Sequence, residues 1–178
     1  MRSLVALDSV DLRTLACPWC GRTPHGATGG FKAVRDGEVV GALAFAPGSD
    51  LGGMYPATSV VVLQLWVRRE DLGELIGTQL VHRLAAAAPP RIRCVIAGGT
   101  HGAGDCRHLP APWLEGRGFD EAVVGAQWKL DLRRTVRVPG LVRGLVDGVG
   151  RLVRPARPAA ADRRRLPLVD PGRLGTMR

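Results

Sequence analysis

Two groups of side chains in this 178-residue chain have types and spacings that do chemistry. The first is the pair Cys17 and Cys20, which encloses Pro18 and Trp19. A C-x-x-C pair serves as half of a tetrahedral zinc site, as a redox couple, or as two buried thiols beside an indole. Completing a metal site needs partners such as His25, His101, Cys106 or His108. The C-x-H of Cys106 and His108 is suggestive, although the spacing matches no familiar zinc module. No metal is expected, with Cys17, Cys20, Cys106 and His108 as the alternative ligand set. No thioredoxin-like pattern surrounds the pair to support redox chemistry. The second group is His101, Asp105 and His108, in the glycine-rich run 98 to 110. An imidazole or carboxylate there can take a proton from a reacting group, and the same residues also suit a solvated polar loop.

The stretch that must position such groups is residues 59 to 86, SVVVLQLWVRREDLGELIGTQLVHRLAA. Its first nine residues are nearly continuous Val and Leu around Gln64, the composition of a strand buried on both faces. From Gly73 onward, Ile76, Leu80 and Leu84 recur at four-residue spacing and share one helical face, with Gln79, His82 and Arg83 elsewhere. The first amides of such a helix lack intrahelical partners and point back toward the strand, a geometry that receives anions such as phosphate. Glu70, Asp71 and Glu74 in the same turn oppose an anion, by about 1 kcal/mol for a pair at 4 Å in water and more when desolvated.

Around this unit the chain reads in order. Residues 8 to 16 predict a short helix capped by Asp8 or Ser9, with Leu12 and Leu15 inward. Residues 21 to 30 are a loop. Residues 31 to 47 predict a hairpin turning at Asp36 and Gly37, because glycine accepts the positive φ of a type I′ turn. Residues 48 to 58 form a loop. Pro89 and Pro90 stop the helix, and 91 to 97 predict a second strand, making a βαβ unit with parallel strands. Residues 98 to 110 are a loop, 112 to 119 a short helix ending at Gly118, and VVGAQWKLDL a last strand with Trp128, Leu130 and Leu132 on one face. The class is α/β, a mixed central sheet with one βαβ unit.

This order, with its motifs, resembles the GCN5-related N-acetyltransferases. Val67, Gly73 and Gly77 occupy the valine, first-glycine and last-glycine positions of that family's acetyl-CoA motif, and Ile76 the aliphatic position between the last two glycines. Trp113, Leu114, Gly118 and Phe119 echo its second landmark, an aromatic, a tyrosine and a Gly-Phe pair. The resemblance covers residues 30 to 132. It implies an acyl-CoA N-acyltransferase fold with a shortened front part, binding acetyl-CoA or another acyl-CoA through Leu65, Trp66, Val67, Leu72, Gly73, Glu74, Leu75, Ile76, Gly77 and Thr78. It implies direct attack of a neutral amine on the thioester carbonyl, polarised by backbone amides of the strand. His101, Asp105 and His108 are then the nearest candidates for the base. The departures are Leu72 in place of Arg or Gln, Leu75 in place of the middle glycine, and Leu114 in place of the tyrosine that acts as general acid. Only about 30 residues precede the hairpin, so the groove for the amine, whether a small molecule or a protein, is expected to be open or completed by a partner.

Hydrophobic residues make up 46% of the chain, yet no apolar run approaches the roughly 18 to 20 residues that span a bilayer. Asp8 and Asp11 interrupt any secretory apolar region. A cytoplasmic location with reduced thiols is the expectation. The chain divides into a front segment with the C-x-x-C pair, 1 to 30, a core domain, 31 to 132, and a basic tail, 133 to 178. Residues 131 to 178 hold twelve arginines against four aspartates, +8 of the net +9. Within the tail, Leu141, Leu145, Val149 and Leu152 share a helical face that suits packing on its own domain or on a second copy in a homodimer. The sharper alternative is a non-catalytic protein of the same fold that docks through this tail on nucleic acid, a ribonucleoprotein or an anionic membrane. With no aromatics among the arginines, base stacking has no support. Arginine richness also fits a high-GC bacterial genome.

Overall fold

The computed structural model describes residues 1–135. Its central strand is β4, Ser59–Val67, whose residues are buried throughout except for half-buried Leu63. A strand alternates its side chains between faces, so Val60, Val62, Gln64 and Trp66 would share one side. They do not. The pairing with the preceding strand slips between Ala44 and Phe45, where Gln64 and Val62 are consecutive partners and Leu63 is left over. This β-bulge advances the phase by one residue. Val60, Val62, Leu65 and Val67 therefore enter the main core, while Trp66 joins Cys17 and Cys106 in a separate buried cluster.

The predicted hairpin is present. Strands β2, Gly29–Arg35, and β3, Glu38–Pro47, are joined by Asp36 (φ 51°) and Gly37 (φ 84°), the two left-handed residues of a type I′ turn. A strand not foreseen from sequence, β1, Arg2–Ala6, pairs antiparallel with β2. After β4 the chain forms helix α2, Ile76–Ala87, and returns as β5, Cys94–Thr100, parallel to β4 as the βαβ reading requires. The helix ends at the two prolines as expected, but begins at Ile76 rather than Gly73, because Gly73 and Leu75 both take positive φ. The second strand starts at Cys94 rather than Arg91 and runs on through the glycines to Thr100.

A two-residue strand β6, Leu109–Pro110, pairs with β5 inside the run read as loop, and helix α3 spans Ala111–Glu115. The predicted last strand is instead a hairpin, β7, Asp120–Val123, and β8, Gln127–Asp131. Gly125 (φ 66°) turns the chain between them. Trp128 and Leu130 are buried, but Leu132 opens a short helix, Leu132–Thr135. The sheet order is β1-β2-β3-β4-β5-β8-β7, mixed as expected. Near the front, helix α1 is only Asp11–Thr14 and buries no residue, leaving Leu12 and Leu15 half-buried. Asp8 caps it through the amides of Val10 and Asp11.

Helix α2 covers one face of the sheet with Ile76, Leu80, Val81 and Leu84, none more than 2% exposed. Each such side chain stabilises by about 1.5–3 kcal/mol, far more than differences in helix propensity. His82 and Arg83 face out. Among the described residues no helix is long and apolar enough to cross a membrane. The basic tail, with its amphipathic stretch 139 to 157, lies outside the described residues.

Candidate functional site

Strands β4 and β5 pair only over Ser59 to Val62 and Cys94 to Ala97. Beyond the bulge they part, and a cavity of about 490 Å³ opens between the diverging ends, the turn before α2, and α3. Leu65, Trp66 and Val67 line it from the strand, and Leu72, Gly73, Leu75, Ile76, Gly77 and Thr78 from the turn and helix start. Of the residues assigned to the cofactor, Glu74 alone is not in the wall. Gly77 is needed for close approach: a Cβ there would lie 3.0 Å from the Trp113 ring, which packs across the first turn of α2. The position of the missing middle glycine keeps the glycine conformation, Leu75 adopting φ 60° and ψ 16° with its side chain exposed. A leucine there costs roughly 1–2 kcal/mol of backbone strain.

The acidic turn is neutralised by Arg2 of β1, Arg35 of β2 and Arg68 at its own start. Asp71, 2% exposed, accepts from Arg35 Nη1 at 2.8 Å and from Arg68 Nε at 2.7 Å. Glu74 pairs with Arg35 Nη2 and with Arg2 Nη1, and Glu38 and Glu70 pair with Arg68. Hydrogen bonding to Glu74 raises the Arg35 pKa, and hydrogen bonding to Asp71 and Glu38 raises that of Arg68. The carboxylates that oppose an anion in the sequence are thus already paired. A cation that the sequence reading did not single out stands at the helix start instead. Arg117, from the turn after α3, donates through Nε to Thr78 Oγ1 at 3.1 Å and lies 4.5 Å from the Trp113 ring centroid. Only the three-dimensional return of α3 to α2 could reveal it. The phenol position is closed: Leu114 is wholly buried in the core and Trp113 takes the cavity wall.

His101 stands apart from the other two proton-transfer candidates, His108 and Asp105, which touch each other. His101 lies outside the cavity wall, with Nε2 2.9 Å from Glu121 Oε1 and its ring edge-on to Trp128. His108 is also outside, its Nδ1 3.3 Å from Asp105. Asp105 lines the cavity. Burial raises its pKa, but the amides of His108 and Arg107 outweigh that and hold it below the ordinary carboxylate value, so it stays ionised and is a weak base. The strand amides expected to polarise a thioester are partly occupied. Leu65 N–H donates to the Cys106 carbonyl at 2.7 Å. On the acceptor side of the strand, the Val67 carbonyl takes the Trp19 Nε1–H at 2.8 Å.

The front segment and the loop after β5 thus meet across the cavity, and three thiols meet with them. Cys17, Cys20 and Cys106 line the cavity, their sulfurs all within 4.8 Å of one another, and His108 is not in this group. The Arg22 amide, then Cys106, lower the Cys20 pKa, while burial pushes the Cys106 thiol up to about 12. Gln64 Nε2 reaches the Arg22 carbonyl at 2.7 Å and Cys106 Sγ at 3.6 Å.

No family model matches the chain, and no curated protein matches it. Solved structures do. The ribosomal-protein-S18-alanine N-acetyltransferase from Escherichia coli aligns over 74% of this chain and 94% of its own, at 12% identity and a TM-score of 0.54. An N-acetyltransferase from Staphylococcus aureus Mu50 aligns over 74% and 99%, at 16% identity and 0.54. The GphF GNAT-like decarboxylase, solved with isobutyryl-CoA, aligns over 73% and 99%, at 17% identity and 0.53. What is shared at these identities is the fold, that of the GCN5-related N-acetyltransferases.

Proposed function

We propose that this chain binds an acyl-CoA, acetyl-CoA being the first candidate, in the cavity between β4 and β5 and passes its acyl group to an amine. The observation that carries this reading is the convergence of both motif regions, the turn 72 to 78 and Trp113, on one cavity. The unpaired first amides of α2 and the Arg117 guanidinium provide donors for a diphosphate. Leu65, Val67 and Trp113 provide an apolar wall for the pantetheine arm. A neutral amine would attack the thioester carbonyl directly, CoA leaving as the thiolate and the proton lost by the amine nitrogen passing to that thiolate or to solvent, with no covalent enzyme intermediate. Calorimetry with CoA and with acetyl-CoA tests the first half, and chromatographic detection of free CoA in the presence of a panel of primary amines and amino-terminal peptides tests the second. Absence of heat with either ligand at millimolar concentration sinks the reading.

A second reading keeps CoA binding and drops the transfer. Leu114 replaces the acid, Asp105 is a weakened base, and the Leu65 amide is occupied. The relatives by fold include a decarboxylase as well as transferases, so the acyl-CoA is better supported than the reaction. On this reading the chain is a binding protein and its tail docks on a polyanion, a nucleic acid or an anionic membrane. Binding of acetyl-CoA without CoA release on any amine favours it.

A further inference from the structure

From the sulfur cluster we infer a metal site: Cys17, Cys20 and Cys106 bind one zinc-class divalent ion through three thiolates, with the fourth position open to the cavity. Tetrahedral thiolates at about 2.3 Å from zinc stand about 3.8 Å from one another. Here Cys20 and Cys106 are 3.5 Å apart and all three sulfurs lie within 4.8 Å, so shifts of about an ångström at the side chains suffice. No pair is joined as a disulfide.

The backbone that presents these thiols is built for the purpose. Gly21, at φ 72°, turns the chain so that its amide bonds the Cys17 carbonyl at 2.8 Å, and the Cys17 amide returns to the Arg22 carbonyl at 2.8 Å. Both sulfurs of the pair thereby face the same side. Cys106 arrives from a loop 86 residues away, anchored by its carbonyl to the Leu65 amide. Gln64, a polar side chain 3% exposed in the middle of the central strand, holds both ligand-bearing segments through Arg22 and Cys106. Outer contacts of this kind orient metal ligands. Packing alone would explain buried Cys17 and Cys106, but not a third thiol exposed beside them on a cavity wall. Thiolate donors select zinc over harder cations. On binding, the coordinated thiols release their protons to solvent. Three protein ligands with the fourth position facing a cavity is the arrangement of sites that accept an exchangeable ligand. The ion also clips the front segment to the loop after β5, the two parts that close the cavity.

The site does not depend on the acyl-CoA reading. The test is elemental analysis of the full chain, expressed with added zinc and purified without chelators under a non-thiol reductant. One zinc per chain is expected, retained in Cys94→Ser and lost in Cys17→Ser and Cys106→Ser. Because those two positions are buried, cobalt titration of the unsubstituted chain provides a second reading. Thiolate-to-cobalt charge transfer and the visible bands of tetrahedral cobalt are expected, the latter shifting when azide is added. Zinc no higher than in Cys17→Ser, or octahedral cobalt without charge transfer, overturns the site. Bands indifferent to azide overturn the open position.

Discussion

At Leu75 the backbone sits at φ 60° without the glycine that would relieve it. Replacing Leu75 with Gly removes about 1–2 kcal/mol of strain and gives back about 0.5–1 kcal/mol through a freer unfolded chain. The exposed side chain contributes little packing. We expect Leu75→Gly to raise the urea midpoint by the equivalent of about 0.5–1 kcal/mol with an unchanged m-value. Arg117 is the complementary case, a residue outside the motif whose charge stands beside Thr78. A charge-assisted hydrogen bond is worth about 1.5–3 kcal/mol, so Arg117→Ala weakens CoA binding about tenfold or more by calorimetry. Binding of acetyl-pantetheine, which has no diphosphate, stays as in the unsubstituted chain; equal losses for both ligands would remove the arginine from the diphosphate.

Among the elements, the turn before α2 depends on Asp71. Removing one partner of a buried ion pair costs about 3–5 kcal/mol. Arg35 and Arg68 keep 25–30% of their side-chain surface in water, which lowers the expected cost of Asp71→Ala to about 2 kcal/mol by the same reasoning. Denaturant unfolding reads it, and Asp71→Asn should recover part of the loss. The β7–β8 hairpin has a pH signature. Glu121 accepts from the Gly125 amide and faces His101, and these contacts lower its pKa below the ordinary 4.5. A lowered carboxylate contributes stability above its unfolded pKa and loses it as the pH falls through the folded value. In a His101→Asn background, which keeps imidazole titration out, the gap in melting temperature between Glu121 and Glu121→Gln should be constant from neutral pH down to about 4.5 and then close. A gap that widens on acidification contradicts this.

For the whole molecule, residues 1–135 close a core of their own around β4 and α2. A chain shortened after residue 138 should therefore unfold cooperatively at an unchanged midpoint. It should also lose salt-sensitive retention on a polyanion column, because residues 139 to 178 hold nine arginines against three aspartates, +6 of the +9 net charge. Retention that survives the truncation would place polyanion binding on the folded part and end the tail-docking reading.

Local periodicity made much of this fold legible. Continuous Val and Leu marked β4, four-residue spacing marked α2, Asp36 and Gly37 marked the hairpin, and two prolines marked the helix end, because each of these signals acts within a few residues of itself. Strand β1 carries no readable signal, since its residues are half exposed and alternate weakly, and the β7–β8 hairpin reads as one strand because Gly125 sits between apolar residues. The bulge at Leu63 has no sequence signal. It moves Gln64 and Trp66 to the other face, at the point where the pairing of β4 with β5 ends. The site followed the same division. The sequence by itself determined the turn and helix start that line the cavity, whose residues are neighbours along the chain. Tertiary structure alone decided that Arg117 meets Thr78, that Arg2 of β1 and Arg35 of β2 join Arg68 in neutralising the acidic turn, and that Cys106 joins Cys17 and Cys20 without His108. Such meetings depend on register and on the return of distant segments, which no local pattern encodes.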